Sequence, residues 1–419
     1  MIKFKERGNV SFSNFRLKEH QCDYEPIIGL IMVKNQERWI LQTLESIVNI
    51  CDQIIMVDTG SSDNTVAIVE SNYNSVLIKH VDWKEDYAAM RNKCLTFVPN
   101  DTWVLFVDSD EIFSKEYNSE EIKSFLYEVD KRFPNQDKIC TVKQMQPDRP
   151  TYVRPERFVK KTETLYYFGY VHEEPRTKRT EKLVKIDTDL ELMNNGLTKG
   201  EYAKFNKQQR YAMLLKKNIA LEPDNPRWTS LISPIDIQLG LFEHDKYVEK
   251  LKKEILKDIH GDITENNVKQ GEYLNYLLER YCIELVHSEN MELASKYIKF
   301  SKKKFPYDVT FIVLEMTIFF TSLEQASLRE LKKIIDFTNN TDFNIIDSES
   351  EGSEDALSAV VIKLLLLVEK FDQAKAVYKT ISDPIAKELL NEANYKFNPN
   401  KPGIFQWQSV DDVFLMVVD

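Results

Sequence analysis

No Cys-x-x-Cys pair occurs in this chain. Its five cysteines, Cys22, Cys51, Cys94, Cys140 and Cys282, lie far apart. That excludes a zinc ribbon and a disulfide framework, and it points to a reducing compartment. Basic residues are in deficit: 56 Lys and Arg stand against 67 Asp and Glu, a net charge of −11. This argues against a general nucleic-acid binder, although a local basic patch remains compatible. Residues 1–14 are polar and of mixed charge, without the apolar segment of a signal peptide. The longest apolar runs, 309–323 and 357–368, are interrupted by Glu315 and Lys363. Both read as too short and too charged for a membrane span. The expectation is a soluble, cytoplasmic protein.

What is present is enough apolar sequence for a packed core. Of 419 residues, 42% are hydrophobic and 29% charged, and the length suits roughly two to three domains. Residues 1–25 read as an N-terminal strap. Residues 27–33 are a near-continuous apolar run, as in a strand buried on both faces. Ile40, Leu41, Leu44, Ile47 and Val48 then repeat at helical spacing. Further strands are expected at 53–59, 76–81 and 103–107. Between them fall a helix containing Val66 and Val69, capped by Ser62 or Asp63, and a helix over 86–97. Connections of this length require parallel strands and crossover helices. Asn35, Asp58, residues 82–86, Asp108 and Asp110 would then share one sheet edge, where open α/β sheets bind ligands. Asn118 and Glu121 have capping-box spacing. Shorter strands are expected at 138–145, 152–160, 165–171 and 183–192, with Asn194-Asn195-Gly196 as a turn.

From residue 201 the strand pattern stops. Helices are expected at 205–221, 228–242, 245–259, 270–287, 291–303, 308–323, 328–337, 357–369, 371–381 and 385–395. Several fall into pairs like degenerate tetratricopeptide repeats, and an irregular bundle fits as well. Residues 339–353 form an acidic, serine-rich loop. The apolar tail 401–419 is suited to packing back on the domain or on a second subunit.

Asp108-Ser109-Asp110 closes the strand at 103–107. Two carboxylates at a strand tip make a hard oxygen site suited to Mg²⁺ or Mn²⁺. Taken alone, they also suit a solvated acidic turn. Asp58 opens the turn Thr59-Gly60-Ser61-Ser62-Asp63-Asn64-Thr65. Its carboxylate either accepts from the ring N–H of a base or serves the turn only. Arg154 and Arg157 read as one strand face, turned to a diphosphate or to solvent.

Four segments stand in the order and spacing of family 2 glycosyltransferases with the GT-A fold. They are Asn35-Gln36-Glu37, the run from Val57 to Thr65, Tyr87-Ala88-Ala89-Met90-Arg91-Asn92, and the run from Phe106 to Glu111. The chain resembles that family over roughly residues 26–200. Trp83-Lys84-Glu85-Asp86-Tyr87-Ala88, the run from Phe168 to Pro175, and the run from Leu221 to Pro226 narrow the resemblance to the sublancin-type bacteriocin (glycocin) S-glycosyltransferases. The fold so implied is α/β. A Rossmann-like, mostly parallel GT-A domain (26–200) precedes an all-α, TPR-like domain (201–400) that binds acceptor or dimerises.

The resemblance implies inverting transfer of a hexose, glucose being expected, from a UDP-sugar to a Cys or Ser side chain of a small bacteriocin precursor peptide. It also implies Mg²⁺ or Mn²⁺ and a homodimer. Val33, Asn35, Glu37, Asp58, Arg91, Asp108 and Ser109 would hold the UDP-sugar. Among them Asp58 would read uracil and Arg91 would approach the nucleotide, with Asn92 fixing its helix. Asp110, Asp108 and Asn194 would hold metal. Relatives tend to carry His where Asn194 stands, so Asn194 is either an amide ligand or only a turn residue. Gln36 also departs from the family pattern and reads as a surface residue. His172, Glu173 and Glu174 are the catalytic candidates on the acceptor side. Either Glu can be the general base, which matters more for a serine than for a thiol. Otherwise His172 packs against the metal loop and Glu174 pairs with Arg176 or Arg154. Two other readings are a transferase for cell-surface polysaccharide or lipid-linked sugar, and a non-catalytic peptide-binding scaffold.

Overall fold

The structure is a computed structural model that describes residues 1–9, 11–17, 24–147, 149–196, 207–340, 353–382, 395–396 and 406–407. The chain divides into two compact units, Met1–Tyr247 and Val248–Asp419. In the first, β1 (Ile2–Glu6) and β2 (Ser13–Phe15) precede an alternating run. The run comprises β3 (Ile27–Val33), α1 (Ile40–Ile47), β4 (Gln53–Asp58), α2 (Thr65–Asn72), β5 (Val76–His80), α3 (Tyr87–Leu95) and β6 (Thr102–Asp108). Next come β7 (Glu111–Phe113), α4 (Ser119–Arg132), β8 (Lys138–Gln146), β9 (Arg149–Val153) and β10 (Glu156–Lys161). β11 (Leu165–Phe168), β12 (Glu174–Thr177), β13 (Val184–Asn194), α5 (Lys207–Leu221), α6 (Pro226–Ser230) and α7 (Pro234–Gln238) complete it.

The main sheet runs β2-β1-β13-β8-β10-β6-β3-β4-β5. Its β6-β3-β4-β5 half is parallel, as the alternation requires. Register fixes the site: Val33 lies opposite Asp58, Met32 opposite Asp108, and Asp58 opposite His80. The expected polar tips therefore do share one edge. β6 shows why these strands are so apolar. Trp103, Leu105 and Val107 enter the core on one face, and Val104 and Phe106 the core on the other. A strand covered by helices on both sides has no face for water.

Several boundaries differ from expectation. The strand expected at 152–160 is two strands, parted at Arg154-Pro155, and β12 was not foreseen. The α2 cap is Asn64, while Asp63 Oδ1 accepts from the Thr65 N–H. Asn118 accepts from the Glu121 N–H, but the Glu121 carboxylate receives the Met1 amino group, so the capping box is half made. Residues 228–242 hold two short helices, and Ser233 with Asp236 forms a full capping box between them.

Helix α8 (His244–Ile255) crosses the division. The second unit holds α9 (Leu274–His287), α10 (Met291–Lys304), α11 (Thr310–Asn340), α12 (Ser353–Leu367) and α13 (Phe371–Thr380). Two helices expected between 308 and 337 are one, α11, of 31 residues. The residues 324–327 read as a break stay helical because none of them is Gly or Pro, and the Ser327 hydroxyl is accommodated by donating to the Leu323 carbonyl. Contrary to expectation, α11 is long and apolar enough to cross a membrane, and only 11% of its most apolar window is buried. Val313, Phe319 and Phe320 are exposed on it. The loop expected at 339–353 is helical at its ends, where residues 339–340 close α11 and Ser353 opens α12, and its remainder, the helix expected at 385–395 except Tyr395, and most of the 401–419 tail lie outside the described residues.

Candidate functional site

A crevice of about 550 Å³ opens at the carboxyl edge of the parallel strands. Of the residues singled out in the sequence, Val33, Asn35, Arg91, Asp108, Ser109, Asp110, His172, Glu173 and Asn194 line it. Glu37, Asp58 and Glu174 are not in its wall. Asp58 is 4% exposed, and its carboxylate accepts from the Gly60 and Ser61 N–H groups, with His80 3.3 Å away. Burial acts against its charge, but those hydrogen bonds keep its pKa below the usual value. The turn is thus what Asp58 serves here. Glu37 accepts from Asn64, tying the loop after β3 to the start of α2. Asn35 is in the left-handed region, φ 54°, with its oxygen on the Ser62 N–H. Gln36 is half-buried in the crevice wall and not a surface residue.

The carboxylates at the β6 tip differ sharply. Asp108 takes Arg157 at 2.7 Å on one oxygen and Arg91 at 3.4 Å on the other. Burial pushes its pKa up, and the two guanidinium charges outweigh that and hold it down. Glu111, fully buried, accepts from the Asp108 N–H, Arg157 and Gln144. Among the described residues no arginine pairs with Asp110. Burial, then Asp108 and Glu111, raise its pKa to about 7, opposed by Lys207. Arg157 is therefore a buried partner of the acid cluster, not part of a solvated face. It also does not share one strand with Arg154, which stands in the break between β9 and β10. Arg154 instead donates to the Thr188 carbonyl.

These donors suit a hard divalent cation held through Asp110. A buried carboxylate facing two other acids is relieved by positive charge. The rest of the expected set is otherwise occupied. Asp108 is engaged by two arginines, and the Asn194 oxygen accepts from the Gly196 N–H while its amide NH₂ faces Glu111. Among the described residues no cluster of three His, Cys, Asp or Glu has metal-holding geometry. Asp110 with water would be the protein's share of such a site, in line with the hydrated coordination Mg²⁺ prefers.

Glu173 and Glu174 part company at the start of β12. Glu173 faces the crevice and accepts from Arg91 Nε at 2.5 Å. Glu174 pairs with Arg176 at 2.9 Å and Arg227 at 3.3 Å, away from the crevice. His172, φ 52°, stands at the crevice wall 6.0 Å from the Tyr211 ring. It opens to the crevice yet is surrounded by protein, and the loss of bulk water lowers its pKa, with Glu173 opposing. The loop that carries both is clasped by α5 and α6. Asn218, fully buried, accepts from the Tyr170 N–H at 2.7 Å and donates to the Val171 carbonyl at 2.8 Å. Arg227 donates to the His172 carbonyl at 2.7 Å. Gly169, φ 111°, must lack a side chain, because a Cβ would stand 2.9 Å from Trp228. As expected, Asn92 bonds both backbone groups of Tyr167 and anchors α3.

Sequence reasoning passed over Lys207, Arg210 and Tyr211 on α5, whereas Trp83 and Glu85 belong to the residues 82–86 expected at this edge, and Tyr87 follows them into the crevice wall. Trp83 and Tyr87 meet edge to face at 4.9 Å, and Arg210 lies over Trp83 while pairing with Glu85 at 2.9 Å.

Residues 30–170 match the sequence model of Glycosyl transferase family 2. The chain is 23% identical over 367 residues to the SPbeta prophage-derived glycosyltransferase SunS of Bacillus subtilis, covering 86% of this chain and 81% of that protein. It is 38% identical over 96 residues to an uncharacterized glycosyltransferase of Rickettsia conorii, covering 23% of this chain and 33% of that protein. Among solved structures, S. aureus TarS aligns over 65% of this chain and 55% of its own, at 12% identity and a TM-score of 0.35.

Proposed function

We propose, from the premise that residues 30–170 make this chain a family 2 glycosyltransferase of GT-A fold resembling SunS, that it moves a hexose from a UDP-sugar to a Cys or Ser side chain of a small peptide. The observation that carries this reading is that Asp110 and Glu173 line one crevice at the carboxyl edge of the parallel strands. One is suited to a cation beside a diphosphate, the other to an acceptor proton. The homodimer, the Mg²⁺ or Mn²⁺ and the bacteriocin precursor are part of the same proposal.

The chemistry follows from the residues. The acceptor lone pair attacks the anomeric carbon from the face opposite the diphosphate. The bond from that carbon to the diphosphate oxygen breaks, and its electron pair leaves with UDP, so configuration inverts. The acceptor proton passes to Glu173 or to solvent. A divalent cation at Asp110 supplies charge neutralisation for the leaving diphosphate. Arg91 holds both Glu173 and Asp108, which sets acceptor and donor sides in one frame. Val33 and Asn35 form the donor-side wall.

Donor choice is tested by titrating UDP-glucose, UDP-N-acetylglucosamine and GDP-mannose against the protein with Mg²⁺. Tighter binding of the UDP-sugars supports the reading, and preference for GDP-mannose would remove it. One observation favours a second reading, transfer to a lipid-linked acceptor: the exposed apolar residues of α11 suit a lipid surface.

A further inference from the structure

Lys207 opens α5 and lines the crevice at the Asp110 end. Its Nζ donates to the Gly196 carbonyl at 3.1 Å. Gly196 lies hard against Asp110: a Cβ at that position would stand 1.8 Å from the carboxylate oxygen. The ammonium group is therefore tethered to the residue that touches Asp110, and its charge opposes the burial penalty there. Two of the other crevice cations are committed elsewhere, while Lys34 lines the wall beside Asn35. Arg91 holds Glu173 and Asp108, and Arg210 holds Glu85. Asn194 carries no charge, and its oxygen faces the Gly196 N–H.

Resting on the UDP-sugar reading above, we propose that Lys207 contacts the donor diphosphate and supplies, from the protein side, charge neutralisation to the leaving group. An ammonium has three donors, so Lys207 can keep its hydrogen bond to Gly196 and give another to a phosphate oxygen. The electron pair of the breaking bond goes to the diphosphate, whose growing charge Lys207 then meets as a charge-assisted hydrogen bond. α5 lies beyond the matched residues 30–170, so the transferase site draws a donor-binding group from outside the family core.

The test is calorimetric titration of UDP and of uridine, with EDTA and then with Mg²⁺, into wild-type protein, Lys207→Gln and Lys207→Arg. Uridine shares the base and ribose but lacks the diphosphate. Lys207→Gln should lose about tenfold or more in UDP affinity in EDTA, the scale of one charged hydrogen bond, with uridine binding unchanged. Lys207→Arg should restore most of it. Unchanged UDP binding in Lys207→Gln, or equal loss of UDP and uridine, would overturn the assignment. Wild-type protein that binds no UDP at all would instead overturn the donor reading beneath it.

Discussion

Arg91 Nε lies 2.5 Å from Glu173 Oε1, joining α3 to the loop before β12 across 82 residues. Glu173→Gln keeps the shape and an acceptor for Arg91 but removes the base. Transfer to a serine peptide should fall by roughly 100-fold or more. Transfer to the matched cysteine peptide should fall less, because a thiol is already partly thiolate near neutral pH. Initial rates by mass spectrometry on two peptides differing only at the acceptor give the answer. Equal losses would speak against a base role.

Asn218 holds Tyr170 and Val171 with both ends of one amide. Asn is a poor residue for a helix interior, so its place in α5 is explained by this clasp. Asn218→Ala leaves a buried N–H and a buried carbonyl without that partner and should cost about 2 kcal/mol of stability. Turnover should drop about tenfold, while UDP affinity stays near wild type, because the clasp positions Glu173 and not the nucleotide. Denaturant unfolding, kcat and UDP titration check the three parts.

Glu222 accepts two hydrogen bonds from Arg176, and one each from Asn225 and Trp228. The Arg176 bonds lead in lowering its pKa to about 2. A carboxylate lowered on folding stabilises the native state above its unfolded pKa and loses that contribution as pH falls toward the folded value. Glu222→Gln should therefore destabilise by about 2 kcal/mol at pH 7, allowing for partial exposure. The gap to wild type should close between about pH 4.5 and pH 2. Urea midpoints across that range measure it.

Asp110 has the opposite sign. Its pKa is raised to about 7 by burial and by Asp108 and Glu111. The native state then holds a proton that the unfolded chain releases, so stability falls as pH rises from about 4 to 7. Asp110→Asn should be more stable than wild type in EDTA at pH 8, with the difference vanishing near pH 4. The same variant should lose metal-stimulated turnover. Thermal midpoints at the two pH values, beside a Mg²⁺ and Mn²⁺ titration of activity, separate the two effects.

The parallel half of the sheet was legible because each strand and its tip is a local pattern. Asp108 and Asp110 end an apolar run, and Asn35 ends another. Glu173 and Glu174 could not be told apart, because which one faces the crevice depends on where β12 begins and on Arg176, Glu222 and Arg227. The partners of Arg157, and Lys207 altogether, were hidden for the same reason. Arg157 and Lys207 each reach the β6 tip from an element distant in sequence, and no spacing records that. The length of α11 was missed because the polar residues near 324–327 look like an interruption, whereas nothing in that stretch breaks a helix. For Asp58 the sequence offered a base contact or the turn, and the Gly60 and Ser61 N–H groups show the turn in use.

The most direct test is incubation of the protein with UDP-glucose, Mg²⁺ or Mn²⁺, and a cysteine-containing bacteriocin precursor peptide, followed by intact and fragment mass spectrometry. The account predicts addition of a hexose, localised to a Cys or Ser side chain and absent without the peptide's acceptor residue. UDP-glucose hydrolysis or transfer to lipid, with the peptide unmodified, would contradict it.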